Sequence, residues 1–394
     1  MEKYKLSDLF EKPISGEWGN ELEEGKKGTR VLRTTNFTNI GRIDFSDVVE
    51  RDVDLEKYSS KILKKGDIII EKSGGSPTQP VGRVIYFDKE DEVYLCNNFT
   101  AILRPNERIY PKFALYLMMR LHLTKKVMKF QNKTTGIINL KLNDYIETTK
   151  VNIPSIETQK KIVEVLDKAQ YLIDKKKEQI DLLDELVKSR FIEMFSNLNN
   201  ENKLSLGDCT NFIDYRGKTP KLSEDGNIRM INAKSVGKGV FKYIDEYISE
   251  ETYNSWMKRG FPNYGDILFV TEGHTFGNTC MIPKKVGKFA MGQRVITIQG
   301  NKGIINNSFL YQYMQTLEFK IKIDKYKTGS SAQGIRSKEL QKILVPIPPI
   351  ELQNEFAEFV TKVDSIRSKM EASLSELEDN FNSLMQKAFK GELF

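Results

Sequence analysis

Two stretches of about 40 residues carry apolar side chains at steps of three and four, with no proline or glycine among them. From Glu157 to Asn197 the apolar positions are 162, 165/166, 169, 172/173, 180, 183 and 187, with Lys176 where the series calls for another. From Glu351 to Lys390 they are Phe356, Phe359, Val363, Ile366, Met370, Leu374, Leu377, Phe381, Leu384 and Ala388. This is the spacing of a coiled-coil seam, and it predicts two helices, each roughly 60 Å long at 1.5 Å per residue. A helix of this kind needs a partner for its stripe in water, and the other helix is the obvious one. Gly391 is placed to end the second helix and the polar stretch 197–202 to end the first.

The rest of the chain has a different rhythm. Short apolar runs bounded by turn residues read as strands, notably Gly66-Asp67-Ile68-Ile69-Ile70 and Gly265-Asp266-Ile267-Leu268-Phe269. Phe113–Met128 and Phe309–Ile321 have helical apolar spacing and predict one helix each, packed on a sheet. These signals form a repeat with a period near half the chain. Lys5-Leu6-Ser7 is answered by Lys203-Leu204-Ser205, Trp18-Gly19 by Tyr215-Arg216-Gly217, and Arg30–Asn36 by Ile228–Lys234. The loop Glu71–Ser76 is answered by Thr271–Thr275, and Lys133–Gly136 by Lys327–Ser331. Asn152-Ile153-Pro154-Ser155-Ile156-Glu157-Thr158-Gln159 opens the first long helix as Pro346-Ile347-Pro348-Pro349-Ile350-Glu351-Leu352-Gln353 opens the second. The expected architecture is α+β: two similar globules of about 150 residues, joined by two long coiled-coil helices. The internal two-fold repeat makes those helices antiparallel, with one globule at each end. The predicted segments are 1–152, 153–202, 203–346 and 347–394.

Charge follows the same division. The two globular segments carry net charges of +4 and +9, and the two helical ones −2 and −4. A polyanionic partner should therefore meet the globules. Cys96, Cys209 and Cys280 lie far apart, which argues against a disulfide framework or a zinc site and for a reduced, cytoplasmic setting. No run of about 18 apolar residues predicts a membrane span, and the first ten residues lack the pattern of a secretory signal.

Catalytic chemistry is hard to place. A methyltransferase needs an Asn/Asp-Pro-Pro-aromatic segment and a Gly-rich turn, and the nearest mimic is Asn152-Ile153-Pro154-Ser155. No Gly-x4-Gly-Lys-Ser/Thr motif is present for an ATP motor. His122, in Leu121-His122-Leu123, reads as packing, and His274 as either a loop contact or a solvated side chain. Asp245-Glu246 has no companion base and reads as solvated surface.

Two variable globules alternating with two long helices, each introduced by a Pro-(Pro/Ser)-Ile-Glu-x-Gln signal, and the ending Ala388-Phe389-Lys390-Gly391-Glu392-Leu393-Phe394, resemble the specificity (S) subunit of Type I restriction-modification enzymes. The resemblance covers essentially the whole chain. It implies two target-recognition domains, each reading one half of a bipartite site in double-stranded DNA. It also implies helices that act as spacer and as docking surface for two methyltransferase (modification) subunits and for restriction/translocase subunits. The chain then has no cofactor or catalytic centre of its own, and S-adenosylmethionine belongs to the partner methyltransferase subunits.

Base reading needs forked or amide side chains on loops, and phosphate contacts need Lys, Arg, Ser, Thr and backbone N–H groups. On that chemistry the candidate DNA contacts of the first globule are Arg33, Asn36, Lys72, Ser73, Gly74, Ser76, Thr78, Lys133 and Thr134. Those of the second are Arg216, Lys218, Asn232, Lys234, His274, Thr275, Lys327, Thr328, Ser330 and Gln333. Trp18, Phe37 and Trp256 fit core packing better than base stacking. Two other readings stay open at this point: a stand-alone two-headed DNA-binding regulator, and a coiled-coil scaffold with no nucleic-acid role.

Overall fold

The computed structural model describes the chain except residues 77, 78, 91, 135, 136, 197–201, 218 and 330–332, and except the side chains of Lys133 and Thr134. Two compact units divide it: Met1–Lys176 with Ser373–Phe394, and Lys177–Ala372. Each unit holds one globule and one half of each long helix, Ile156–Phe195 and Ile350–Lys390.

The two globules share a topology. In the first, the apolar run Ile68–Glu71 is a central strand of a four-stranded antiparallel sheet, between Thr100–Leu103 and Val84–Tyr86, with Ile14–Ser15 at the edge. In the second, Ile267–Val270 takes the same place between Val295–Gly300 and Thr279–Met281, with Thr210–Asp214 at the edge. A three-stranded sheet accompanies each: Val49–Arg51, Thr29–Leu32 and Tyr94–Cys96, against Tyr247–Ile248, Ile228–Ile231 and Phe289–Met291. A two-stranded ribbon closes each globule just before its long helix, Glu2–Lys5 on Lys150–Ile153 and Lys203–Ser205 on Leu344–Pro346. The Gly-Asp pair before each central strand is a structural turn. Asp67 accepts both arms of Arg104 at 2.8 Å, and Asp266 accepts from Asn263 N and Gln299 Nε2.

The glutamine of each helix-entry signal explains why that signal recurs. Gln159 is fully buried; its Oε1 accepts Tyr110 N at 2.7 Å while Nε2 donates to Arg108 O and Pro154 O. Gln353 is also fully buried, accepting Asn306 N at 2.8 Å and donating to Ile304 O and Pro348 O. One side chain thus ties the start of each long helix to the backbone of its own globule and leaves no buried amide atom unpaired.

Within each unit the two helix segments run antiparallel. In the second, Arg190 pairs with Glu355 at 3.0 Å and Asp184 with Arg367 at 2.5 Å, so rising numbers on one helix meet falling numbers on the other. Phe191 lies 5.0 Å from Phe195, 5.5 Å from Phe356 and 5.7 Å from Phe309, which joins both helices to the globule in one aromatic cluster. In the first unit Ile162, Val163, Leu166 and Ile173 share a core with Phe381, Met385, Ala388 and Phe389. Gly391, at φ 79°, ends the second helix as expected: Glu392 N returns to Lys387 O.

Three expectations need correction. Phe309–Ile321 is two helices, Asn307–Met314 and Leu317–Tyr326, because Thr316 Oγ1 accepts Phe319 N and starts a new helix. The helix expected over Phe113–Met128 spans Pro111–Leu123 and gives way to a 3-10 turn after Lys125, which takes a left-handed φ of 58°. Ile366, expected on the seam, is exposed, and the neighbouring Val363 carries the packing there. Among the described residues no helix is long and apolar enough to cross a membrane.

Candidate nucleic-acid interface

Beyond its central strand, each globule turns through a small-residue loop held by two equivalent backbone hydrogen bonds. In the first, Lys72 N and Ser73 N donate to Phe99 O at 2.9 and 3.1 Å, and Leu140 N donates to Lys72 O at 2.8 Å. In the second, Thr271 N donates to Arg294 O at 3.0 Å and Ile335 N to Thr271 O at 2.9 Å. Two residues further on, Gly74 (φ 100°) and Gly273 (φ 93°) occupy the same left-handed position, which suits a residue without Cβ. This wiring brings three segments together in each globule: the loop after the central strand, the turn before the next sheet strand, and a hairpin from late in the half. In the first globule that hairpin, Gln131–Thr134 with Ile137–Leu140, pairs with Ser73–Gly75 as a small sheet. In the second, Gly334 bridges both Glu272 and Thr328.

The side chains on this scaffold differ between the halves. Lys72 is half-buried, with Nζ 2.5 Å from Ser15 Oγ, and burial holds its ammonium below the usual lysine range. Ser73 Oγ donates to Asn139 Oδ1, Gly74 is open to solvent, and Ser76 Oγ accepts Gln79 N. In the second globule an open cleft of about 320 Å³ is lined by Arg216, Glu272, Arg294, Thr328, Gly329 and Arg336, among others. Arg216 clamps Asp214 through Nε and Nη2; burial pushes that carboxyl up, but the guanidinium outweighs it and leaves it below the usual range. His274, Thr275, Lys327 and Gln333 are exposed around this region; Lys327 pairs with Asp324 at 3.0 Å, and Gln333 accepts Gly273 N on its carbonyl. Thr78, Lys218 and Ser330 lie outside the described residues, as do the side chains of Lys133 and Thr134.

The strand-end candidates are committed elsewhere. Asn36 is buried, its Oδ1 accepting Arg33 N and its Nδ2 donating to Asp44 O and Asp47 O. Arg33 reaches Asp47 at 2.7 Å. Asn232 Oδ1 accepts Lys234 N, and its amide nitrogen donates to Glu246, which Lys234 also meets. Glu246 is therefore not the solvated acid expected: the Lys234 ammonium holds its carboxyl below the usual range. These residues organise the turn after the strand, and both amides hydrogen-bond within it. His122 Nε2 lies 3.3 Å from Pro80 O, Phe37 is buried, and Trp256 Nε1 donates to Met291 O.

Two cleft residues escaped sequence reasoning: Arg294 and Arg336. Arg294 follows an apolar strand and precedes another, as Phe99 does in the first half, so the repeat itself held the signal as one further pair.

Comparison with known proteins agrees with this architecture. The family model described as Type I restriction modification DNA specificity domain matches residues 1–184 and again 201–379. The specificity subunit of the type I restriction enzyme EcoKI from Escherichia coli (strain K12) is 24% identical over 400 residues, covering 92% of this chain and 82% of that one. The S subunit of a Type I restriction-modification system from M. genitalium superposes with a TM-score of 0.55 at 19% identity, over 98% of this chain and 96% of that one. A second structure, described as the structural basis of complex assembly and conformational transition of the type I R-M system, gives a TM-score of 0.59 at 15% identity, over 100% and 98%. With its family model matched twice, once over each repeated globule, the chain belongs to the family of Type I restriction-modification DNA specificity subunits.

Proposed function

We propose that this chain recognises a bipartite site in double-stranded DNA, residues 1–152 reading one half and 203–346 the other, and that its long helices dock methyltransferase and restriction/translocase subunits. The observation that carries this reading is the pair of loop scaffolds with two equivalent backbone hydrogen bonds and different side chains. A repeated scaffold gives the same approach to a duplex, and changed side chains give each copy its own bases. Net charges of +4 and +9 on the two segments supply attraction to phosphates. Lys72, Lys133, Arg216 and Lys327 are the cations proposed to meet them. On the first long helix Leu182, Leu186 and Ile192 are 58%, 46% and 65% exposed, an apolar surface that suits a protein partner. S-adenosylmethionine would be held by the methyltransferase subunits, and adenine methylation performed there.

The test is to assemble the chain with its methyltransferase partner and sequence the methylated DNA. The expected product is one motif in two separated halves, with N6-methyladenine in each. A single continuous motif would overturn the two-reader model. Tight, specific binding by the isolated chain would make it a stand-alone regulator instead.

A further inference from the structure

Among the described residues only two that are not glycine take a positive φ, Lys125 and Arg294. Lys125 ends a helix, where such a conformation is routine. Arg294, at φ 62°, sits in the turn between Phe289–Met291 and Val295–Gly300, where glycine would be cheaper. Its carbonyl accepts Thr271 N, so its backbone is fixed to the end of the central strand. Its side chain is 57% exposed on the cleft wall and meets Glu272, with Nε 3.3 Å from Oε1. Nη1 lies 3.9 Å from where a Cβ on Gly273 would stand, so the guanidinium runs along the glycine loop.

We propose that Arg294 is the specificity-determining residue for a guanine in the half-site of the second globule, and that Phe99 holds the equivalent reading position in the first. This rests on the two-reader function above. An arginine fork matches the N7 and O6 acceptors of guanine in the major groove, and Glu272, engaging Nε, leaves the terminal amino groups for them. The repeat separates a base contact from a phosphate contact. A phosphate contact is independent of sequence, whereas a base contact changes with the base that is read. The position changes class on matching wiring, without the positive φ of Arg294: Phe99, whose carbonyl accepts Lys72 N and Ser73 N, is 45% exposed and aromatic. An exposed aromatic offers apolar contact to a thymine methyl or a stack on a base, and nothing to a phosphate.

Arg294→Gly tests this without endangering the fold, because glycine takes φ 62° with less strain than arginine. The assembled complex is compared with wild type for its methylated motif and for affinity to matched duplexes and duplexes with one base changed. Discrimination at one guanine of the second half-site should fall roughly 5- to 150-fold, with the first half-site unchanged and thermal stability equal to or above wild type. Arg294→Lys, a point charge without the fork, should recover affinity but not discrimination. Phe99→Ala should relax one position of the first half-site alone. An unchanged motif with uniformly weaker binding and a salt slope reduced by about 1 would make Arg294 a phosphate contact and overturn the proposal. Unchanged motif and affinity would remove it from the interface. If the wild-type complex itself yields no bipartite motif, it is the two-reader function that fails.

Discussion

Gln159 and Gln353 each satisfy one backbone N–H and two carbonyls with a single buried amide. Truncating Gln353 to alanine leaves those groups without partners inside the second unit, which costs about 1–3 kcal/mol for an unsatisfied buried group. In denaturant the transition of that unit should move to lower concentration while the other stays in place, read from fluorescence of Trp256 against Trp18. The cysteines give a prediction of a different kind. Burial pushes Cys96 up to about 11 and Cys209 and Cys280 up to about 12. An unfolded thiol ionises near 8.5. Above that pH the unfolded chain loses protons that the folded chain keeps, so stability should fall as pH rises from about 8.5 towards 11. A thiol reagent at pH 8 should find no reactive cysteine in the native protein and three in denaturant.

At the scale of elements, the apolar rhythm placed both long helices and their ends, since a seam of three- and four-residue steps repeated over ten turns has few other solutions. Rhythm was less informative where a polar residue makes a local choice. Thr316 interrupts an apolar series that continues on both sides, and its hydroxyl stops one helix and caps the next. Thr316→Ala should cost about 1 kcal/mol, the usual value of an N-cap, seen as a small fall in the unfolding midpoint. On the first long helix, Leu186→Glu should leave the fold intact, because that side chain meets solvent, but should weaken partner assembly measured by co-purification or sedimentation. A large loss of stability in that variant would mean the helix face is packed rather than free to dock.

At the scale of the molecule, duplication is the organising fact. The two globules carry the same four-stranded and three-stranded sheets, the same ribbon and the same glutamine anchor with few residues in common, and the first adds a small sheet at its loop. Exchanging residues 203–346 for the corresponding segment of a relative should change one half of the methylated motif and leave the other. Simultaneous change of both halves would show that the globules do not read independently.

Sequence alone determined the repeat, the central strands, the long helices and the glycine at the end of the second, because each is set by local chemistry: periodicity, turn residues and backbone freedom. Tertiary structure decided which polar side chains remain free. Asn36 and Asn232 look from sequence like amides offered to a base; in the structure Asn36 is buried in its own turn, and Asn232 bonds to Glu246 and Lys234 in its turn. Glu246 looks solvated and is paired. Arg294 looks like one arginine among many, and becomes distinctive only when the turn that bears it is hydrogen-bonded to a loop 23 residues earlier in the chain. Hydrogen-bond partners distant in sequence are fixed by how the sheets pack and by the register of their strands, and no local pattern encodes them.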